Sequence, residues 1–120
     1  MKGIRYLLLA LVVMMFSCSK SEVNADVTAC IQERISEFKN SDMICDDAVV
    51  TKYLFQKQYV YVFDSSCCCD WIAGVVDADC NVIGGLGGFA GNTEINGEDF
   101  SNAEFIREVW RNPRSESADR

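Results

Sequence analysis

Six cysteines, Cys30, Cys45, Cys67, Cys68, Cys69 and Cys80, crowd the middle of a 120-residue chain that has one proline and no histidine. They constrain the fold more than any other feature. A domain of about 88 residues, 26–113, buries too little apolar surface to be secure without staples. Three disulfides, each contributing ~2–4 kcal/mol, would supply them. Spacing alone does not choose among the many possible pairings. Neighbouring residues in an extended strand face opposite ways, so Cys67 and Cys69 share a face and Cys68 opposes them. The triplet is therefore expected to reach separate partners, with Cys30, Cys45 and Cys80 favoured.

A seventh cysteine, Cys18, fixes an address. Lys2 and Arg5 introduce an uninterrupted apolar run from Tyr6 to Phe16, which breaks at Ser17-Cys18. Eleven apolar residues reach only ~16 Å as a helix, against ~30 Å of hydrocarbon, so the segment reads as an export signal. A small residue followed by Cys is the lipoprotein cleavage pattern, here in the loose form Met15-Phe16-Ser17-Cys18. Cleavage before Cys18 leaves diacylglycerol on its sulfur and an acyl chain, palmitate for instance, on its new amino group. The expected organisation is a lipoprotein signal peptide at 1–17, a lipidated Cys and polar tether at 18–25, a single domain at 26–113 and a polar tail at 114–120. The expected location is the cell envelope, with the lipid bilayer holding acylated Cys18 at the outer membrane. Export also places the cysteines in an oxidising compartment.

Loss of Lys2 and Arg5 with the signal leaves 9 of the 11 basic residues against 18 acidic ones, a formal charge of −9. Nucleic acid and anionic lipid are poor partners for such a chain. Another envelope protein or a glycan suits it better. The absence of histidine excludes Ser-His-Asp and Cys-His nucleophiles and His-based zinc sites.

Val27, Cys30, Ile31, Arg34, Ile35 and Phe38 recur at spacings of three and four, which predicts a short amphipathic helix with Asp26 as its cap and Lys39-Asn40 at its end. The period changes to two in Val49–Phe55 and Tyr59–Phe63, an expected hairpin closed by Gln56-Lys57-Gln58. Trp71–Val76 and Cys80–Ile83 predict a second hairpin around Asp77-Ala78-Asp79. The glycine-rich stretch from Gly84 to Gly91 reads as a loop or an irregular edge. Near the end, Ser101 and Glu104 are spaced as a capping box, Phe100 and Phe105 as a hydrophobic staple, and Phe105, Ile106, Val109 and Trp110 as one apolar face. They predict a helix from about Asn102 to Trp110, stopped before Pro113. The expected class is α+β, with a small antiparallel sheet of about four strands, an N-terminal and a C-terminal helix, and disulfide staples.

Several residues invite a chemical reading. Clustered thiolates at Cys67, Cys68 and Cys69 suggest thiol redox chemistry or a soft metal, but three consecutive strand residues cannot converge on one ion, and structural disulfides fit the compartment better. Asp77, Asp79 and Asn81 open like a calcium loop, but Val82 and Gly88 stand where Gly and a bidentate Glu are required. They are weak calcium candidates, with Asp64, Asp70 or Glu98 available to complete a site, and a turn is the preferred reading. Gly85-x-Gly87-x-x-Ala90 matches a dinucleotide fingerprint only formally, because no βαβ unit surrounds it. Tyr53, Tyr59, Tyr61, Trp71 and Trp110 suit a ligand platform or, more readily, a sheet core. The carboxylate pairs Asp46-Asp47 and Glu98-Asp99 are adjacent in sequence and are expected to be solvated, not catalytic. No catalytic residue and no cofactor is expected.

Cys30-Ile31-Gln32-Glu33-Arg34-Ile35, Tyr59-Val60-Tyr61, Cys68-Cys69-Asp70, Asp77-x-x-Cys80-Asn81-x-Ile83, Gly87-Gly88, Gly91 and Asp99-Phe100 together resemble the small lipoproteins of Bacteroidota that form a domain-of-unknown-function family. The resemblance implies a lipid anchor before a domain of about 90 residues, and no activity. The chain departs from that pattern at Glu98, where a further Cys is usual, and Cys45 and Cys67 look like additions. The functional expectation is a non-enzymatic binding or interaction module, with thiol or metal chemistry as the alternative.

Overall fold

The computed structural model describes residues 27–67 and 70–114. The expected export signal, Cys18, the expected tether, Asp26, the Cys68-Cys69 pair and the tail beyond Arg114 lie outside the described residues.

Helix α1, Ala29–Lys39, begins where Thr28 accepts a hydrogen bond from the Ile31 N–H at 3.4 Å. The same hydroxyl donates to the Ala78 carbonyl at 2.7 Å, so the cap also fastens the helix to the sheet. Five antiparallel strands follow the order β4 (Val82–Gly87), β3 (Ile72–Asp77), β2 (Gln58–Asp64), β1 (Val49–Phe55), β7 (Glu104–Arg111). Strands β1 (Val49–Phe55) and β2 (Gln58–Asp64) form a hairpin closed by Gln56 and Lys57, both at positive φ, the geometry that matches strand twist in a two-residue turn. Strands β3 (Ile72–Asp77) and β4 (Val82–Gly87) form the second hairpin. The glycine-rich stretch is half strand and half turn, and it makes the sheet edge. From there residues 88–103 cross one face of the sheet through a small hairpin, β5 (Glu94–Ile95) and β6 (Glu98–Asp99), and one turn of 3-10 helix, Phe100–Asn102. Strand β7 (Glu104–Arg111) then pairs with β1.

Alternation along β1 to β3 fills two cores. On one face Val50, Tyr61 and Val76 meet Val27 and Ile31, with Phe38, Phe63 and Trp110 packed around them. Phe38 sits edge-on to Phe63 at 5.4 Å and to Trp110 at 5.8 Å. On the other face Phe55, Val60, Val62 and Val75 surround Ile95 from the crossing segment. Gly84 permits that approach, since a Cβ there would lie 2.6 Å from Ile95 Cδ1.

The expected C-terminal helix is a strand. Asp99, not Ser101, caps the 3-10 turn by accepting the Ser101 N–H at 2.8 Å, and Glu104 opens β7. The register explains the misleading spacing: Val50 faces Trp110, Thr51 faces Glu108, Lys52 faces Arg107 and Tyr53 faces Phe105, which leaves Val109 and Ile106 as extra residues in two bulges. Bulges three residues apart give a strand an apolar pattern close to helical period. An isolated helix of about nine residues is marginal in water, whereas pairing satisfies the open edge of β1. The α+β class holds: the described residues form one α-helix, a five-stranded sheet and a two-stranded one.

Among the described residues two disulfides form, Cys30–Cys80 and Cys45–Cys67. The first corrects the expectation that Cys30 and Cys80 each pair with the triplet. The cap at Thr28 holds α1 against the β3–β4 turn, and Arg34 Nη2 donates to the Cys80 carbonyl at 3.2 Å, contacts that set Cys30 beside Cys80.

Candidate functional site

Helix α1 covers only part of its sheet face and leaves a furrow beside strands β3 and β4. Across this face the register sets Gly74 against Gly85 and Val76 against Val82, while Phe63 stands opposite Gly74 on β2. A Cβ at Gly74 would meet nothing within 4 Å, so the floor is open backbone. Ile72 closes one end by lying over Gly85, where a Cβ would come within 2.5 Å of its Cγ2. Phe38, Phe63, Val76 and Val82 make apolar walls, and Arg34, Glu37 and Ser41 provide the polar rim. The space is about 310 Å³, roughly tenfold a water's ~30 Å³ share of liquid. Glu33 and Glu37, one helical turn apart, continue the rim toward the Cys30–Cys80 bond. Val82 is 66 % exposed, which leaves the mouth open to solvent.

A second cleft of about 480 Å³ lies on the opposite face between Tyr53, Phe100 and Thr93. Its polar groups serve the fold. Asn92 Nδ2 donates to the Gly85 and Glu94 carbonyls at 2.6 and 2.9 Å, and its backbone bridges Gly87, so it covers the outer edge of β4. Asp99 caps the 3-10 turn, and that hydrogen bond holds its carboxyl below the ordinary range. Burial, with the charge of Asp64 second, pushes the Tyr53 hydroxyl up.

The other sequence candidates do not converge. Asp77 accepts the N–H groups of Asn81 and Asp79 at 2.9 Å each and the Asn81 side-chain amide at 3.1 Å. The Asn81 N–H is the largest cause of its lowered pKa. Asn81 thus presents a donor to Asp77, the wrong polarity for a shared cation, and the turn reading describes the site. Asp64 accepts from Ser66 N–H at 2.8 Å. No group of three His, Cys, Asp or Glu suited to a metal occurs among the described residues. The five aromatic residues separate: Tyr61 is buried, Tyr53 and Trp110 are half-buried in opposite cores, and Tyr59 and Trp71 are exposed. Tyr59 carries Lys52 Nζ 4.2 Å above its ring. Asp46 lies 3.9 Å from Arg114, far along the chain from the Glu98-Asp99 pair on β6. Gly85 and Gly87 belong to β4, and the next element after Ala90 is β5, so no helix N-terminus follows the glycines. Cys67 is bonded to Cys45, which takes it out of the thiol triplet.

Sequence reasoning missed the furrow, since its defining feature is an absent side chain. The one trace was a glycine inside the β3 strand pattern. No curated protein and no solved structure matches the chain. A family model described as a domain of unknown function, DUF6970, matches residues 36–112, from the second half of α1 to just past β7. That span covers well over half of the sequence, and the chain belongs to the DUF6970 domain family.

Proposed function

We propose that this chain is a membrane-anchored, non-enzymatic binding module of the cell envelope, held at the outer membrane by acylated Cys18, as in the small Bacteroidota lipoproteins it resembles. The furrow beside α1 carries the reading: an open apolar trough with a glycine floor and a charged rim, on a scaffold stapled to the helix that forms its wall. Concave apolar sites with few polar groups at the rim are where proteins take ligands and partner side chains. Another envelope protein is the favoured partner and a glycan the second.

The test places a photo-crosslinking residue at Val82 in the anchored chain and irradiates intact cells. A discrete adduct is expected, and Gly74→Val should abolish it by filling the trough without lowering the melting temperature. An adduct indifferent to Gly74→Val overturns the reading. So does turnover of a substrate that is lost when a single carboxylate is removed.

A second reading, thiol redox or soft-metal chemistry, narrows from three cysteines to Cys68 and Cys69. Those are the cysteines of the domain outside the two bonds described. It requires that alkylation of the exported chain modify both without prior reduction.

A further inference from the structure

Three large apolar side chains stand out of the same end of the sheet, where β3 begins and β4 ends. Trp71 is 41 %, Ile72 59 % and Phe89 93 % exposed, and Phe89 is the most exposed of the large hydrophobic residues described. Their backbone is fixed. The Gly88 N–H donates to the Trp71 carbonyl at 3.0 Å, and the Gly91 N–H donates to the Gly88 carbonyl at 3.1 Å, closing a turn that projects Phe89. Gly88 and Gly91 both take positive φ, which only glycine adopts freely. Ile72 lies across Gly88, where a Cβ would come 2.6 Å from its Cγ1, so the tip is small-residue backbone bearing apolar side chains.

We infer that this end of the sheet is a second membrane contact, with Trp71, Ile72 and Phe89 entering the interfacial layer of the bilayer to which Cys18 ties the domain. The inference rests on the anchor in the proposed function. Trp belongs at that layer because its ring is amphipathic, and Phe and Ile supply buried apolar area. Residues 18–26 reach at most ~30 Å when extended, and β3 spans ~20 Å. The described chain begins at Val27, beside Thr28, which is bonded to the β3–β4 turn at the far end of β3. A linker longer than the strand lets the opposite end return to the same surface. Anchoring makes that second contact intramolecular, so a small patch suffices. The formal charge, −7 for the full sequence and −9 once Lys2 and Arg5 leave with the signal, together with Asp70 beside Trp71, selects zwitterionic over anionic lipid.

The test reconstitutes the full acylated chain, in a Trp110→Phe background, into phosphatidylcholine vesicles with and without a doxyl-labelled lipid. Trp71 emission is expected to shift to the blue on reconstitution and to be quenched by the label. Phe89→Ser, on an exposed side chain, should reverse both changes with an unaltered melting temperature, and anionic lipid should weaken the quenching. Absent quenching in a chain whose intact mass includes the acyl groups overturns the membrane contact and leaves the anchor standing. Quenching indifferent to Phe89→Ser also overturns it. A mass without acyl groups removes the anchor and this inference with it.

Discussion

Two glycines one residue apart in the register have opposite roles. Gly74 faces the furrow and would present a Cβ to empty space, whereas Gly84, on the other face, receives Ile95. Gly74→Val is expected to leave stability unchanged or raise it by up to about 1 kcal/mol, since a β-branched residue replaces glycine in a strand. Gly84→Val should cost about 1–3 kcal/mol through overpacking against a buried side chain. Urea denaturation of both variants checks the pair, and equal losses would contradict an open furrow floor. Asp77 belongs to this scale too. Its pKa is lowered, chiefly by the Asn81 N–H, so the carboxylate contributes stability that is fully present above its unfolded value of about 3.9. That contribution is lost as the pH falls through the lower folded value. Glu108, held down chiefly by its hydrogen bonds from Arg111, and Asp99 act in the same direction. Thermal melts taken from about pH 5 to about pH 2 should therefore fall steadily, and Asp77→Ala should show a lower melting temperature at neutral pH and a shallower acid limb. A parallel curve would mean that the turn does not depend on the charge.

Helix α1 is tied to one place, the β3–β4 turn, by three bonds: Thr28 Oγ1 to the Ala78 carbonyl, Arg34 to the Cys80 carbonyl, and the Cys30–Cys80 disulfide. With sequence separations of 50 and 22, the Cys30–Cys80 and Cys45–Cys67 crosslinks restrict the unfolded chain by about 4 and about 3 kcal/mol respectively on the loop-entropy account. Replacing Cys30 and Cys80 together by Ala should lower stability more than replacing Cys45 and Cys67. It should also raise amide exchange selectively in α1. Uniform exchange across helix and sheet would contradict that placement. The elements differ in how plainly the sequence announced them. The β1–β2 hairpin was legible because Val49–Phe55 and Tyr59–Phe63 are rich in β-branched and aromatic residues and only Gln56-Lys57-Gln58 separates them. β7 was not, because bulges at Ile106 and Val109 shift the alternation and place Phe105, Ile106, Val109 and Trp110 at helical intervals. Local spacing cannot reveal that β1 lacks a partner on one side. The furrow was hidden for a related reason: it depends on the register that sets Gly74 against Gly85 and on where α1 stops covering them.

Across the whole molecule, both edges of the sheet resist further pairing. β4 is covered by Asn92, and β7 is broken by two bulges and bears Glu104, Arg107, Glu108 and Arg111. Strand addition is thus a poor way to reach a partner, and the furrow and the Trp71–Phe89 tip are two exposed apolar features that do not depend on it. Holding them in place are two crosslinks that reach across the domain, from the helix to the β3–β4 turn and from the loop before β1 to the loop after β2. Both depend on the compartment, since a reducing one keeps all the thiols free. The chain should therefore need an oxidising compartment, such as the proposed envelope location, to reach this fold, and the same sequence expressed without residues 1–17 in a reducing cytosol should melt lower or remain unfolded. Peptide mapping of the exported protein without reductant is expected to recover Cys30 linked to Cys80 and Cys45 linked to Cys67. Alkylation before and after reduction should add four groups at those positions only after reduction. A link from Cys30 to the Cys67–Cys69 stretch would detach α1 from the β3–β4 turn, remove the wall that Phe38 gives the furrow, and with it the structural basis for a binding function.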